Sequence, residues 1–455
     1  MSTITPRSQP WQILLIATGL LAIALPFLAL KPIFILFLIL IYYLFIILFI
    51  NNKTGLYFLI FLRPIFDLFS SEPIIILGQN IKFSFIIGGI TLFFAGYVIY
   101  HNFPKFKNTP LLIPISIFLF IAFASSFASG HIATGLTECF RLLSIFSLFA
   151  LGFILTDSTK DFIRIIKIIA LSAIIPSTVA LYQFITKTGM SLPFEGIYNR
   201  IYGTFAHPNL FAYYLVISIT ITLFIFLISN RKKMNNLMFI ILMPFFITML
   251  ILTFTRGAWL ALLMTVALIG IIKFRKLLVI SFFVLLALFI SSEAVNTRIK
   301  DFIPSNNQYS SIDWRMDLWQ DSIGYVQEEK VFGHGTGFAK ELILQKRGES
   351  FGSSDPHNDY LKIALENGYL GLGAYLLIIL SLFFHLLKKY RKTELANFKV
   401  LILLTIGLTI SLYTMSFADN ILRNTALQWS YWALIGGLFA IQTSKAKTVS
   451  AENVN

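Results

Sequence analysis

The residues best suited to chemistry in this chain are an imidazole and a few guanidiniums. His357 stands in Pro356-His357-Asn358-Asp359-Tyr360, at the end of a long polar stretch and just before an apolar run. Imidazole ordinarily titrates near neutrality, so a histidine at such a boundary can take a proton from a hydroxyl as a general base. It can equally be a hydrogen-bonded residue at a helix start, with Asn358 or Asp359 as the N-cap. Asp355 or Asp359 could orient the ring, and the adjacent helix N-terminus would keep it neutral until used. Arg200 and Arg256 offer different chemistry. Each lies at the edge of an apolar run, where an arginine either anchors at the interface or turns its fork to phosphate oxygens. Two such groups could neutralise a diphosphate leaving group without a metal. Arg315, in Asp313-Trp314-Arg315-Met316-Asp317, reads as part of a local ion pair or as a contact to a glycan acceptor. Asn209, after Pro208, reads as a helix-start residue that could also touch substrate.

Other polar groups receive blander readings. His207 and His334 are taken as structural. Gly333-His334-Gly335-Thr336-Gly337 lacks the Gly-Lys-Ser/Thr ending of a phosphate loop and follows no strand, so it reads as a tight turn. The pairs Arg63/Asp67, Asp419/Arg423 and Lys362/Glu366 are spaced i,i+4, and Glu138/Arg141 i,i+3, so each can neutralise itself on one helix face. Glu138/Arg141 is the pair most open to another role. Gly368, Gly371 and Gly373 would permit close helix packing beneath His357. No compact Asp/Glu/His set with metal-ligand spacing accompanies these residues, and no metal or cofactor is expected. The single cysteine, Cys139, excludes an internal disulfide.

These groups must be positioned by membrane helices. The chain is 57% hydrophobic and 13% charged, with a mean hydropathy of +0.80, which excludes an ordinary soluble domain. Apolar runs of about 18–25 residues are long enough to cross a hydrocarbon core of about 30 Å. Spans are read near 11–30, 32–50, 56–70, 81–100, 110–128, 136–155, 162–185, 208–229, 236–254, 257–272, 277–291, 361–385, 398–416 and 425–442. The first runs straight into the second, unlike a cleaved signal peptide.

The net charge of +15 suggests nucleic acid until its placement is examined. Lys105/Lys107, Lys160/Arg164/Lys167, Arg231/Lys232/Lys233, Lys273/Arg275/Lys276 and Lys388/Lys389/Arg391/Lys392 alternate between sides of successive spans, the positive-inside pattern. The charge reports topology, with no nucleic-acid partner, and puts both termini in the cytoplasm and the large, net acidic loop outside. Three segments then share the outer face: about 187–207, the turn Thr253–Trp259, and the loop 291–359.

The expected fold class is all-α, a polytopic helical bundle of about 12–14 transmembrane helices with one large, mostly helical outer loop. Residues 1–290 form an N-terminal bundle, 291–359 the loop, and 360–455 the C-terminal hairpins and tail. Within the loop, 310–326 reads as a helix. Its stripe of Ile312, Met316, Trp319, Ile323 and Val326 would rest on the membrane surface, lid a cavity or lie on the protein.

Taken in order, these segments resemble the O-antigen ligase and polymerase superfamily of envelope glycosyltransferases. The resemblance is carried by Arg200 with Gly203-Thr204-Phe205-Ala206-His207-Pro208-Asn209, Thr255-Arg256-Gly257-Ala258, Trp314-Arg315, Leu318-Trp319, Gly333–Gly337, His357–Leu361 and Glu366-Asn367-Gly368. It implies a GT-C-like, metal-independent, inverting transferase in the bacterial inner membrane, with membrane lipids around it and the large loop periplasmic. The donor would be a glycan on undecaprenyl diphosphate and the acceptor lipid A-core or another glycan. Carried over, His357 would be the catalytic base, and Arg200 and Arg256 would bind diphosphate. Arg315, Asn209, Asn358 and Asp359 would bind substrate or support. About eleven spans precede the loop where the family usually has about nine. A ligase in lipopolysaccharide biosynthesis leads, because the large loop is net acidic; a glycan polymerase and a protein O-oligosaccharyltransferase follow. A lipid-linked glycan transporter would predict internal repeats with matching broken helices, which the sequence does not offer.

Overall fold

A computed structural model of the chain describes residues 48, 51–69, 74–76, 79–81, 83–192, 197–228, 237–279, 281, 313–348 and 354–441. The run read at 11–30, all but Leu48 of the run at 32–50, nearly all of the span at 277–291 and the start of the long loop lie outside them. Helix dominates, because a chain segment in lipid must satisfy its backbone groups internally. The helices are α1 Asn52–Phe66, α2 Phe83–His101, α3 Phe103–Phe106, α4 Leu112–Ala128, α5 Ile132–Leu155, α6 Thr159–Ser172, α7 Ile174–Thr186, α8 Pro208–Ile228, α9 Leu237–Leu252, α10 Arg256–Ile272, α11 Asp313–Glu328, α12 Ala339–Arg347, α13 Asp359–Lys392, α14 Ala396–Met415 and α15 Thr425–Ala440. The strands among the described residues make two small antiparallel hairpins, β1 Ile74–Ile76 with β2 Gln79–Ile81 and β3 Met190–Leu192 with β4 Ile197–Arg200. The fold is that of an all-α polytopic membrane protein. Among the described residues five helical stretches are long and apolar enough to cross a membrane: 132–155, 159–186, 208–228, 359–392 and 396–415. Helices α4, α9, α10 and most of α2 are shorter and equally apolar.

The stretch read as one span at 162–185 is two helices, meeting at Ala173. Pro176 is the physical reason. Without an N–H it cannot bond the carbonyl one turn back, and its ring crowds that turn. Ser158 caps the first helix by accepting from the Asp161 N–H.

The core pairs α15 along α5, α10 with α14, α13 with α4, and α8 with α9. Gly152 and Gly436 let α5 and α15 touch backbone to backbone: a Cβ on Gly152 would lie 2.6 Å from the Ala433 carbonyl. In lipid, where apolar burial gives helices little reason to associate, such close packing holds them together.

The segment 313–348 docks on α13 through a smaller core of its own. Leu318 and Val326 of α11 and Leu342 and Ile343 of α12 meet Ala364 and Leu365. This face differs from the stripe expected from sequence. Leu318, Ser322 and Val326 are buried, while Met316 and Ile323 are more than half exposed. The helix is rotated because it packs on α13, and its amphipathic pattern alone could not specify that partner.

Helix α13 is broken at Gly368, whose φ of 63° and ψ of −167° are open essentially to glycine alone. The Gly333–Gly337 run fills the break. His334 and Gly335 donate their N–H groups to the freed carbonyls of Leu365 and Glu366 at 2.8 and 3.0 Å, and the Tyr369 N–H donates to the Lys330 carbonyl at 2.8 Å. A Cβ on Gly333 would lie 2.5 Å from the Gly368 nitrogen. The run is therefore a splice for a broken helix, more than the tight turn its composition suggested. Among the described residues neither Gly371 nor Gly373 shows another helix in closest approach: the three atoms nearest a Cβ on Gly371 all belong to Asn367 of its own helix, and one on Gly373 would meet nothing within 4 Å.

Candidate functional site

The N-termini of α8, α10 and α13 meet at one end of the bundle, and a chain of polar contacts joins them. Arg200 ends β4 and is buried, with 4% of its surface exposed. Its Nε donates to the Thr253 carbonyl at 2.9 Å, and its NH2 to Asn209 Oδ1 at 3.0 Å and Thr255 Oγ1 at 3.2 Å. Thr253 and Thr255 form the turn that opens α10, so Arg200 is tied to the turn that places Arg256. Asn209 Nδ2 donates to Asp419 Oδ2 at 2.7 Å, and Asp419 Oδ1 lies 3.3 Å from His357 Nδ1. One guanidinium, one amide, one carboxylate and one imidazole thus form a line across four elements.

The line settles several assignments that the sequence left open. Asn358 is the N-cap of α13, accepting from the Leu361 N–H at 3.0 Å. Asp359, the first residue of that helix, accepts from the Leu422 N–H at 2.8 Å and donates its own N–H to the Ser416 carbonyl at 2.8 Å. Asp355 pairs with Arg423. Neither Asp355 nor Asp359 meets the imidazole; Asp419 does. The i,i+4 pair expected between Asp419 and Arg423 does not form, since both side chains turn to the His357 segment, while Arg63/Asp67 and Glu138/Arg141 do pair. Spacing along a helix decides nothing here, because 416–424 is a loop between α14 and α15.

His357 itself has a φ of 48°, a left-handed conformation that costs a non-glycine residue about 1 kcal/mol or more. Such strain persists only where surroundings impose it. Trp319 Nε1 donates to the Pro356 carbonyl at 2.6 Å on one side, and Asn358 starts the helix on the other. Trp314 meets the ring edge to face with centroids 5.7 Å apart, and Arg315 sits over the same indole at 5.4 Å. The Nε of Arg315 is buried and makes no hydrogen bond among the described residues.

Electrostatics fix the protonation of two neighbours. Burial works to raise the Asp419 carboxyl, but the hydrogen bond and charge of His357, the Asn420 N–H and the charge of Arg315 hold it below the usual carboxylate range. Burial, reinforced by Arg200, pushes His207 down to about 4. A neutral His207 accords with its Nδ1 accepting from the Asn209 N–H at 3.1 Å, which fixes the residue that carries the amide of the line.

Arg256 is the first residue of α10 and half-buried. The α10 terminus abuts α8 directly, since a Cβ on Gly257 would fall on the Tyr213 hydroxyl, one turn beyond Asn209. The structure therefore gathers Arg200, Asn209, Arg256, Arg315, His357, Asn358 and Asp359 at one end of the bundle. Asp419 completes the group, and sequence reasoning missed it. Its signal was modest: a polar cluster, Asp419-Asn420 and Arg423-Asn424, between two apolar runs. Beside the site an apolar groove runs between α11 and α13, lined by Trp319, Ile323, Tyr360, Leu361, Tyr369 and Leu372.

Comparison with known proteins finds similarity over part of the chain. A protein of Haemophilus influenzae (strain KW20 / Rd), described as uncharacterized, is 28% identical over 244 residues, which cover 48% of this chain and 58% of that protein. The chain thus spans little more than half the length of that relative, and its description assigns no activity. Residues 237–376 match the family described as O-Antigen ligase, a stretch that contains Arg256, Arg315 and His357 but neither Arg200 nor Asp419. Over that stretch, about a third of its length, this apolar, helical membrane protein is similar to the O-antigen ligase family.

Proposed function

We propose that this protein transfers a glycan from undecaprenyl diphosphate to an acceptor hydroxyl at the outer face of the bacterial inner membrane, with lipid A-core as acceptor. The line Arg200–Asn209–Asp419–His357 carries the reading. Asp419, as a carboxylate, takes the Nδ1–H of His357, which leaves the Nε2 lone pair for the acceptor. The acceptor oxygen attacks the anomeric carbon of the donor sugar and gives its proton to Nε2. The bond from that carbon to the phosphate oxygen breaks, and the diphosphate leaves with the electron pair. With one base and no covalent intermediate, the anomeric centre inverts.

The leaving diphosphate needs positive charge, and three sources converge. Arg256 sits at a helix N-terminus, where backbone N–H groups also favour anions. Arg315 extends a guanidinium from α11. Arg200, occupied by protein acceptors, contributes charge from beneath and holds the Thr253–Thr255 turn in register. No metal is assigned a role. The groove beside the site suits the hydrocarbon of a lipid-linked substrate. Asn358 and Asp359 support the site by setting the start of α13.

The test is depletion in the native host followed by inspection of its surface glycan. Unattached long polymer on the carrier is the expected result. A single repeat on lipid A-core would instead identify a polymerase, and unchanged glycan would overturn both. With purified protein and a defined donor, transfer is expected to survive chelators.

A further inference from the structure

A second charged group, between α5 and the 416–424 loop, has no part in the transfer scheme. Glu138 and Arg141 form a two-pronged pair, with Nε donating to Oε2 at 2.8 Å and NH2 to Oε1 at 2.6 Å. A pair that only neutralised itself in the membrane would be complete at that point. Arg141 goes further: its NH1 donates to the Leu422 carbonyl at 2.9 Å. The N–H of Leu422 is held from the other side by Asp359 Oδ2 at 2.8 Å.

These contacts close a ring. Asp359 is two residues from His357 and bonds Leu422; Leu422 is three residues from Asp419, and Asp419 bonds His357. The ring spans two chain segments and is fastened to α5 by Arg141. We propose that Arg141, oriented by Glu138, is a positioning residue that sets Asp419 against His357. The proposal rests on the reading of His357 as the base.

The chemistry calls for an arginine. Chelation by Glu138 fixes the guanidinium plane, and the rigid fork then aims NH1 in one direction. A lysine keeps the charge but cannot satisfy Glu138 and the Leu422 carbonyl with a planar fork. Glu138 is also 3.9 Å from Lys362 Nζ, which lies 3.7 Å from Glu366 Oε1. Charge balance at Glu138 is therefore shared, whereas the bond to Leu422 belongs to Arg141.

The test uses the full-length protein in lipid nanodiscs with Arg141→Lys and Arg141→Gln, each checked for membrane insertion. Because a misplacement of about 1 Å at a catalytic group can cost about 10²-fold, kcat is expected to fall at least about ten-fold with donor and acceptor KM nearly unchanged. Combined with Asp419→Asn, the losses should not add, as they would for independent sites. Amide exchange of the 416–424 peptide, read by mass spectrometry without substrate, should quicken in both variants. Unchanged exchange, additive losses or an effect confined to KM would each overturn the proposal. Full activity in His357→Ala would overturn the base assignment instead, and the exchange result would then still report the hold of Arg141 on the loop.

Discussion

Two charged assemblies hold opposite ends of this bundle, and they are built on different plans. At the end away from the site, Lys53 lies 2.8 Å from both Asp157 and Asp161, and Lys105 is 2.8 Å from Asp157. Charges meet directly, Asp157 is 60% exposed, and the result joins α1, the α3 segment and the start of α6. At the site end, Arg200 and Asp419 do not pair directly. The neutral amide of Asn209 stands between them, taking from the guanidinium with its oxygen and giving to the carboxylate with its nitrogen. Asp419 thereby keeps one oxygen for His357. Direct pairing consumes charge to join helices, whereas relay through an amide leaves a carboxylate able to orient a base.

The contrast breaks most sharply at His357. His357→Ala should lower transfer by about 10²–10⁴-fold, the span ordinarily supplied by a positioned base, with the protein still inserted; transfer within two-fold of wild type, measured with purified components, would remove it as the base. Asp419→Asn comes next. The amide preserves shape but can present its N–H to the ring and reverse the tautomer, so a loss of about 10²-fold or more in kcat is expected. A larger change in KM than in kcat would instead assign Asp419 to substrate binding. Gly368→Ala tests the splice that supports both residues. Its backbone lies where a side chain costs about 1–3 kcal/mol, and the added carbon would strike the Val331 carbonyl. A lower melting temperature and faster amide exchange across 330–337 should follow.

Much of the bundle was legible because span length and apolar composition are local properties. The runs read at 208–229 and 398–416 are helices Pro208–Ile228 and Ala396–Met415. The break between α6 and α7 was not read, although Pro176 marks it, because the apolar run continues across it. The site divides differently. His357, Arg200 and Arg256 stand out by residue type at polar edges. Asp419 does not, because its partners lie 62 and 210 residues away and Arg423 supplies a convincing local decoy. The splice at Gly368 was hidden for the same reason: glycines advertise conformational freedom and say nothing of which carbonyls their N–H groups will meet.

His207 provides the smaller test, through pH. Its ordinary value of 6.5 falls to about 4 in the folded protein. Between those values the unfolded chain binds a proton that the folded one refuses, so folding stability declines as pH falls through that window and is fully present above about 6.5. His207→Asn keeps a short polar side chain at the start of α8, a favoured capping type, and removes the titration. Its melting temperature should therefore fall less than that of wild type between pH 7 and pH 5. Asp157→Asn, at the far end, should leave transfer unchanged and alter stability by no more than about 1 kcal/mol, as for other exposed pairs. Equal acid sensitivity in wild type and His207→Asn would mean that the neutral imidazole is not what ties the site end to high pH. A transfer defect in Asp157→Asn would show that the far end does more than join helices, and the contrast between direct and relayed charge would lose its functional meaning.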